Sequence, residues 1–251
     1  MIANTKNSIA LDRRALNGVG IPRTGAASAI LRETLTYDDI RIRPCKESDY
    51  EAIGRLCCDT GFLGHPVDSL FRDRDLFADL FTRPYLTYEP EWGIVAESKG
   101  RVVGYLLGSV NRYFDWLQMW SGFQTAAKMV LRLGTGHYAG HPRSRKFIRW
   151  LFTAGLWEQP RHPGNAAHLH FDIEKEYRGR GLCQKMWTIY ENRLRENGIA
   201  ECYGAFFSHP KRRPEIVYKR YGFTVYDRCR TTLFQPEIPE PVEVVCVCKK
   251  L

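Results

Sequence analysis

No apolar run in the 251 residues approaches the roughly 18 that a membrane-spanning helix needs, and the first twenty hold no apolar stretch of signal-peptide length. The expectation is a cytoplasmic chain. Eight cysteines are present, but no C-x-x-C pair: Cys57 and Cys58 are adjacent, and Cys246 and Cys248 alternate with valines. A disulfide framework and a zinc site are both disfavoured, and the thiols read as small, reduced, buried apolar groups. Internal repeats are missing, as are a zinc finger, an RNP-type aromatic strand and a helix-turn-helix. No nucleic-acid partner is therefore expected, although the net charge is +9.

With hydrophobic residues at 44% and charged residues at 26%, the composition is that of a folded globular protein. Residues 1–36 are rich in Asn, Gly, Ala, Ser and Arg and show no periodicity, which suggests a flexible arm before a single domain over 37–251. Within that domain, a strand at 40–44 ends at Pro44. Ser48 and Glu51 then form a capping-box pattern for a helix carrying Ile53, Leu56 and Cys57 on one face. A second helix follows, with Leu70, Phe71, Phe77, Leu80 and Phe81 at helical spacing and Pro84 beyond its end. Strands at 92–97 and 101–108 flank a tight turn and read as a hairpin.

Residues 111–165 interrupt this order with helical runs near 114–133 and 145–157. They hold eight basic residues against Asp115 and Glu158, so most of the net positive charge is regional. Their aromatics, among them Phe114, Trp116, Trp120, Phe123, Phe147, Trp150 and Trp157, read as a subdomain core or as a lid over an acceptor. Arg145, Lys146 and Arg149 would then meet an acidic group, or the surface would rest on an anionic membrane. Strand 167–173, helix 181–196, strand 201–207, helix 214–221 and strands near 223–234 and 242–249 complete the chain.

The chemistry-bearing stretch follows strand 167–173. Arg178-Gly179-Arg180-Gly181 leads into a helix that begins with Leu182 and Cys183. Two glycines allow a tight turn with inward N–H groups, and the helix adds unpaired N–H groups and its positive dipole end. The result is an anion cradle flanked by arginines. It is neither a dinucleotide fingerprint, which needs a third glycine and a parallel sheet, nor a P-loop, since the G-K-[ST] ending is missing. His168, His170 and Asp172 share one face of the strand, and Leu169, Phe171 and Ile173 share the other, core-like face. Two histidines and a carboxylate at alternate positions of one strand converge poorly on a metal ion, so no metal is assigned.

With the cradle and Tyr218-Lys219-Arg220-Tyr221-Gly222-Phe223 about forty residues later, the sequence resembles the GNAT superfamily of acetyl-coenzyme A dependent N-acyltransferases. The order of elements agrees from about residue 40 to 248. Segments 86–92, 104–108 and 171–173 are similar to the acetyltransferase-like domain attached to O-GlcNAc hydrolases and its free-standing bacterial relatives. Cys183 stands where the family pattern usually has Gly or Ala, and Lys175 where proline is common.

The resemblance implies an α+β fold: a mixed, mostly antiparallel twisted sheet, splayed between strands 167–173 and 201–207, with a helical insertion at about 111–165. Acetyl-CoA would be the co-substrate, its pyrophosphate held by Arg178, Gly179, Arg180, Gly181, Leu182 and Cys183, its pantetheine along Asp172 and Ile173. Tyr218 would be the general acid for the departing thiolate, with Tyr221 second, and Asp172 the base or acceptor anchor, with His170 as its substitute. The implied activity is direct acetyl transfer to a primary amine of a small molecule. Protein lysine or N-terminal amines, or an inactive GNAT-like binding module, are the alternatives.

Overall fold

The computed structural model describes residues 35–37 and 39–251. The expected arm lies outside the described residues up to residue 34. Its last two positions belong to the sheet instead, because β1 (Leu35–Tyr37) pairs antiparallel with β2 (Ile40–Pro44). β2 continues onto β3 (Ile94–Ser98), and β3 onto β4 (Arg101–Ser109) through Lys99 and Gly100, whose positive φ angles match the twist of a tight hairpin.

Between β2 and β3 lie α1 (Tyr50–Thr60), α2 (Arg74–Phe81) and α3 (Arg83–Tyr88). Two local expectations are corrected here. The anticipated Ser48–Glu51 box is replaced by Asp49, which accepts from the Lys46 backbone N–H at 2.8 Å. Arg43 engages the same carboxylate with two nitrogens at 2.6 and 2.9 Å, and Glu97 through Nε at 2.8 Å, so the start of α1 is tied to β2 and β3. The second helix, in turn, begins only at Arg74, after Leu70 and Phe71, and ends at Phe81, ahead of Pro84 as expected. Pro84 itself occupies the first turn of α3, where a missing N–H breaks no helical bond.

The chain then runs through α4 (Phe114–Gly134), α5 (Pro142–Thr153), β5 (Ala167–Ile173), α6 (Leu182–Glu196), β6 (Glu201–Ser208), α7 (Pro214–Arg220), β7 (Thr224–Thr231) and β8 (Val242–Lys250). Among the described residues, eight strands form one sheet in the order β1-β2-β3-β4-β5-β6-β8-β7, with only β5 and β6 parallel. This is the mixed, mostly antiparallel arrangement expected.

Two cores cover its faces. Ile53, Leu56 and Cys57 of α1, with Leu76, Phe77 and Tyr85, pack on Tyr105 and Leu107. Opposite, Leu182, Met186, Trp187, Tyr190 and Leu194 of α6 pack on Leu106, Leu169 and Ile173. The one-residue alternation along β4 and β5 therefore distributes side chains between two different environments.

The helical insertion is present as α4 and α5. α5 starts earlier than expected because the His141 imidazole caps it, accepting from Ser144 N–H at 3.1 Å, and Pro142 fixes its first turn. The aromatics split by position. Phe114 and Phe147 are buried, whereas Trp116, Trp120, Phe123, Phe152 and Trp157 are exposed. α4 is thus apolar on two sides, with Trp116 stacked on Trp120 at 6.2 Å on the outer one.

The Arg43–Asp49–Glu97 cluster yields a prediction. Removing the Asp49 charge leaves the mostly buried Arg43 with half its compensation, so Asp49→Asn should lower the unfolding free energy by about 3 kcal/mol. Urea denaturation checks this; a change below about 0.5 kcal/mol, the scale of an exposed pair, would contradict it.

Candidate active site

β5 and β6 pair only at Ala167–Cys202 and His168–Tyr203. At the next position, Leu169 presses against Gly204, its side chain 3.1 Å from where a Cβ would stand, and beyond that point the strands part. β5 remains paired to β4 as far as Ile173, and β6 to β8 as far as Ser208. The divergence therefore opens a wedge inside the sheet, with one edge of residues 169–173 lacking a neighbouring strand.

The glycine turn stands at the open end of this wedge. Gly179 and Gly181 have φ angles of 78° and 76°, and a Cβ on either would meet nothing within 4 Å. Both are left-handed and face open space. Gly181 is the N-cap of α6, a helix of 15 residues without an acidic side chain in its first turn. The unpaired N–H groups and positive dipole end of α6 are thus available to an anion.

The expected cofactor residues divide by what they can offer. Ile173 and Leu182 bury their side chains in the α6 core and present only backbone. Arg180 lies over the Tyr177 ring at 5.7 Å. The Arg178 side chain differs from expectation: its Nε donates to Ile173 C=O at 2.8 Å, and its guanidinium rests against Gly64 rather than beside the glycines.

Tyr218 and Asp172 flank the wedge from opposite faces. The Tyr218 ring stacks on Phe206 at 4.9 Å and meets Phe223 edge-on, lining an apolar cleft with Leu169, Phe171, Cys183 and Trp187. Burial pushes its phenol well above the ordinary range, and the Cys183 and Asp172 charges push the same way, so it is protonated at neutral pH. Cys183 is also raised by burial, against a smaller opposing effect of its Tyr221 hydrogen bond.

Asp172 Oδ2 accepts from Tyr105 O–H at 2.8 Å and lies 3.5 Å from His170 Nε2. His170 Nδ1 is 3.0 Å from the Phe81 carbonyl, which can only accept, so Nδ1 carries the proton. His168 is committed elsewhere, bonding Tyr85 O–H at 2.8 Å and stacking on Tyr203 at 4.5 Å. Burial, helped by His170 and His162, lowers its pKa to about 3. The polar row is consequently not a solvated strand face; it lies under α2 and α3 and its members go to different partners.

Tyr105 and Arg212 were not anticipated. Tyr105 stands opposite Asp172 in the β4–β5 register, a pairing that strand alternation alone does not specify. Arg212 comes from the tight turn after β6, where nothing in the sequence separates it from its basic neighbours.

Neither a family model nor a curated protein matches this sequence. Solved structures do. SsHAT is 21% identical, with a TM-score of 0.53 over 84% of this chain and 98% of its own. A Drosophila melanogaster polyamine N-acetyltransferase is 14% identical, with a TM-score of 0.50 over 85% and 100% of the two chains. A GCN5-related N-acetyltransferase from Kribbella flavida gives 14% and 0.50 over 85% and 99%. The chain has the GNAT fold.

The half-buried, neutral His168 makes stability pH-dependent. Its folded pKa is depressed, so its contribution is present above the unfolded value of about 6.5 and is lost as pH falls toward 3. Going from pH 7 to 5, the wild type should lose about 2 kcal/mol more than His168→Gln in urea titrations. Equal losses would show that His168 does not stay neutral.

Proposed function

We propose that the chain is an acetyl-CoA-dependent N-acetyltransferase that transfers the acetyl group directly to a primary amine of a small molecule, within a single acyltransferase domain that includes β1 and so runs over 35–251. The observation that carries this reading is the left-handed Gly179 and Gly181 turn, open to space, at the N-terminus of α6 and at the mouth of a wedge with an unpaired strand edge. The fit is chemical as well as geometric. A diphosphate suits free N–H groups, a helix dipole and Arg180, and an extended pantetheine carries amides that can bond the free edge of residues 169–173. The acetyltransferase neighbours support the same reading.

Acetyl-CoA supplies an activated thioester. The chain has to orient the acceptor and move two protons. An alkyl ammonium has a pKa of about 10 and attacks only after losing a proton. Asp172, fixed by Tyr105 and beside His170, accepts that proton. As the amine nitrogen bonds to the carbonyl carbon and the carbon–sulfur bond breaks, the Tyr218 hydroxyl delivers its proton to the departing sulfur, and the second proton shed by the nitrogen as it becomes an amide restores the phenol. A phenol held in its neutral form by burial is suited to that task.

Gly181→Glu places a side chain and a like charge in the cradle and should abolish the thermal stabilisation given by acetyl-CoA while the protein still folds. Full stabilisation in the folded mutant would remove the basis of the assignment.

Tyr218→Phe keeps the ring stack but removes the hydroxyl. It should lower turnover by roughly 100-fold with acetyl-CoA affinity unchanged. Wild-type turnover would leave Tyr218 with a packing role only.

A further inference from the structure

The wedge contains a second cationic feature besides the glycine turn. Arg178 Nε bonds the carbonyl of Ile173, near the end of β5, and Arg212 Nη1 bonds the carbonyl of Phe207, near the end of β6, at 3.0 Å. Each arginine thus caps one of the two diverging strands. Both guanidiniums converge on the loop after α1: a Cβ on Gly64 would lie 3.1 Å from Arg212 Nε and 3.6 Å from Arg178 Nη1. Among the described residues, neither has a carboxylate within ion-pair distance, although most arginines of the α1 region do. An arginine carries five N–H donors, and one carbonyl occupies one of them.

Arg178 is exposed and Arg212 half-buried, so water screens part of their repulsion, and an anion bridging the two guanidiniums would relieve the rest. Burial lowers the Arg212 pKa and Arg178 lowers it further, with Asp172 acting in the opposite sense. The surroundings are otherwise apolar, since Phe62 and Phe207 both pack on Phe234 from the segment between β7 and β8. The pair lies toward the α1 and Asp172 side, whereas the glycine turn faces the N-terminus of α6. It is therefore placed to meet the acceptor and not the diphosphate.

We propose that Arg178 and Arg212 bind a carboxylate on the acceptor, so that the amine substrate is an amino acid and not a polyamine. The proposal rests on the acetyltransferase reading above and narrows its substrate class. Guanidinium groups match a planar carboxylate through paired N–H donors. With the carboxylate fixed there, the amine at the other end of a short chain is directed toward Asp172. A diamine would put its second ammonium against two guanidiniums and be rejected by charge. Of the basic side chains expected to do this from the insertion, Arg145, Lys146 and Arg149, Lys146 is already paired with Glu237.

The test uses malonate, an unreactive dicarboxylate, with the glycine turn filled by saturating acetyl-CoA. Malonate should raise the melting temperature of the loaded wild type, and Arg212→Gln should weaken its apparent affinity at least tenfold, while Arg230→Gln on β7 leaves it unchanged. Kinetically, 4-aminobutyrate should be preferred to putrescine, and Arg212→Gln should raise KM for the former without changing its kcat. No malonate shift in the loaded wild type, or a shift that survives in Arg212→Gln, overturns the proposal. So does an Arg212→Gln variant that loses acetyl-CoA affinity, because the pair would then serve the cofactor. Failure of the wild type to bind acetyl-CoA overturns the acetyltransferase reading instead, and malonate binding measured without acetyl-CoA still reports on the pair.

Discussion

Hydrogen bonds that β5 and β6 do not make govern the rest of this molecule. A strand inside a sheet normally satisfies its N–H and C=O groups on both sides, and a buried group left unpaired costs about 1–3 kcal/mol. Here the ladder stops after two pairs while the outer neighbours, β4 and β8, continue along the full strands. The opening is therefore held from outside and cannot zip shut. Its unpaired groups either face a ligand or are met by side chains, as the Ile173 and Phe207 carbonyls are by Arg178 and Arg212.

The alternation of side chains along β5 sorts chemistry onto two faces. Leu169 and Ile173 go to the α6 core and carry the cradle with them, whereas His168, His170 and Asp172 go under α2 and α3. Asp172 and Tyr218 are thus brought to the same opening from opposite sides of the sheet. Neither has to cross the other's core. The insertion contributes packing at the closed end, where Phe114 meets His168 at 5.5 Å, and Asp115 accepts from Tyr203. Much of its positive charge is answered locally: Lys128 pairs with Asp79, Arg132 with Asp73, and Arg143 and Lys146 with Glu237.

Much of the element order was legible in the sequence, because alternation, helical spacing and glycine punctuation act over short distances. β5, the start of α6 and the cradle glycines fell where expected for that reason. The Ser48–Glu51 pair misled because a capping box competes with a carboxylate already claimed by Arg43, and Leu70 and Phe71 misled because apolar spacing does not mark where a helix begins. The partners of Asp172 were illegible for a different reason. Tyr105 reaches it through register, and Arg212 reaches the wedge through a turn between distant elements, so no local pattern marks either. Net charge by segment was visible, but its neutralisation by Asp73, Asp79 and Glu237 required the fold.

The Cys183 thiol lines the same cleft as Tyr218. Thiol–disulfide exchange proceeds through the thiolate, and burial keeps this sulfur protonated. A thiol-bearing cofactor entering the cleft would pass a sulfur poorly disposed to form a mixed disulfide or to intercept an acyl group. The cleft thus holds a cysteine without acquiring a competing nucleophile.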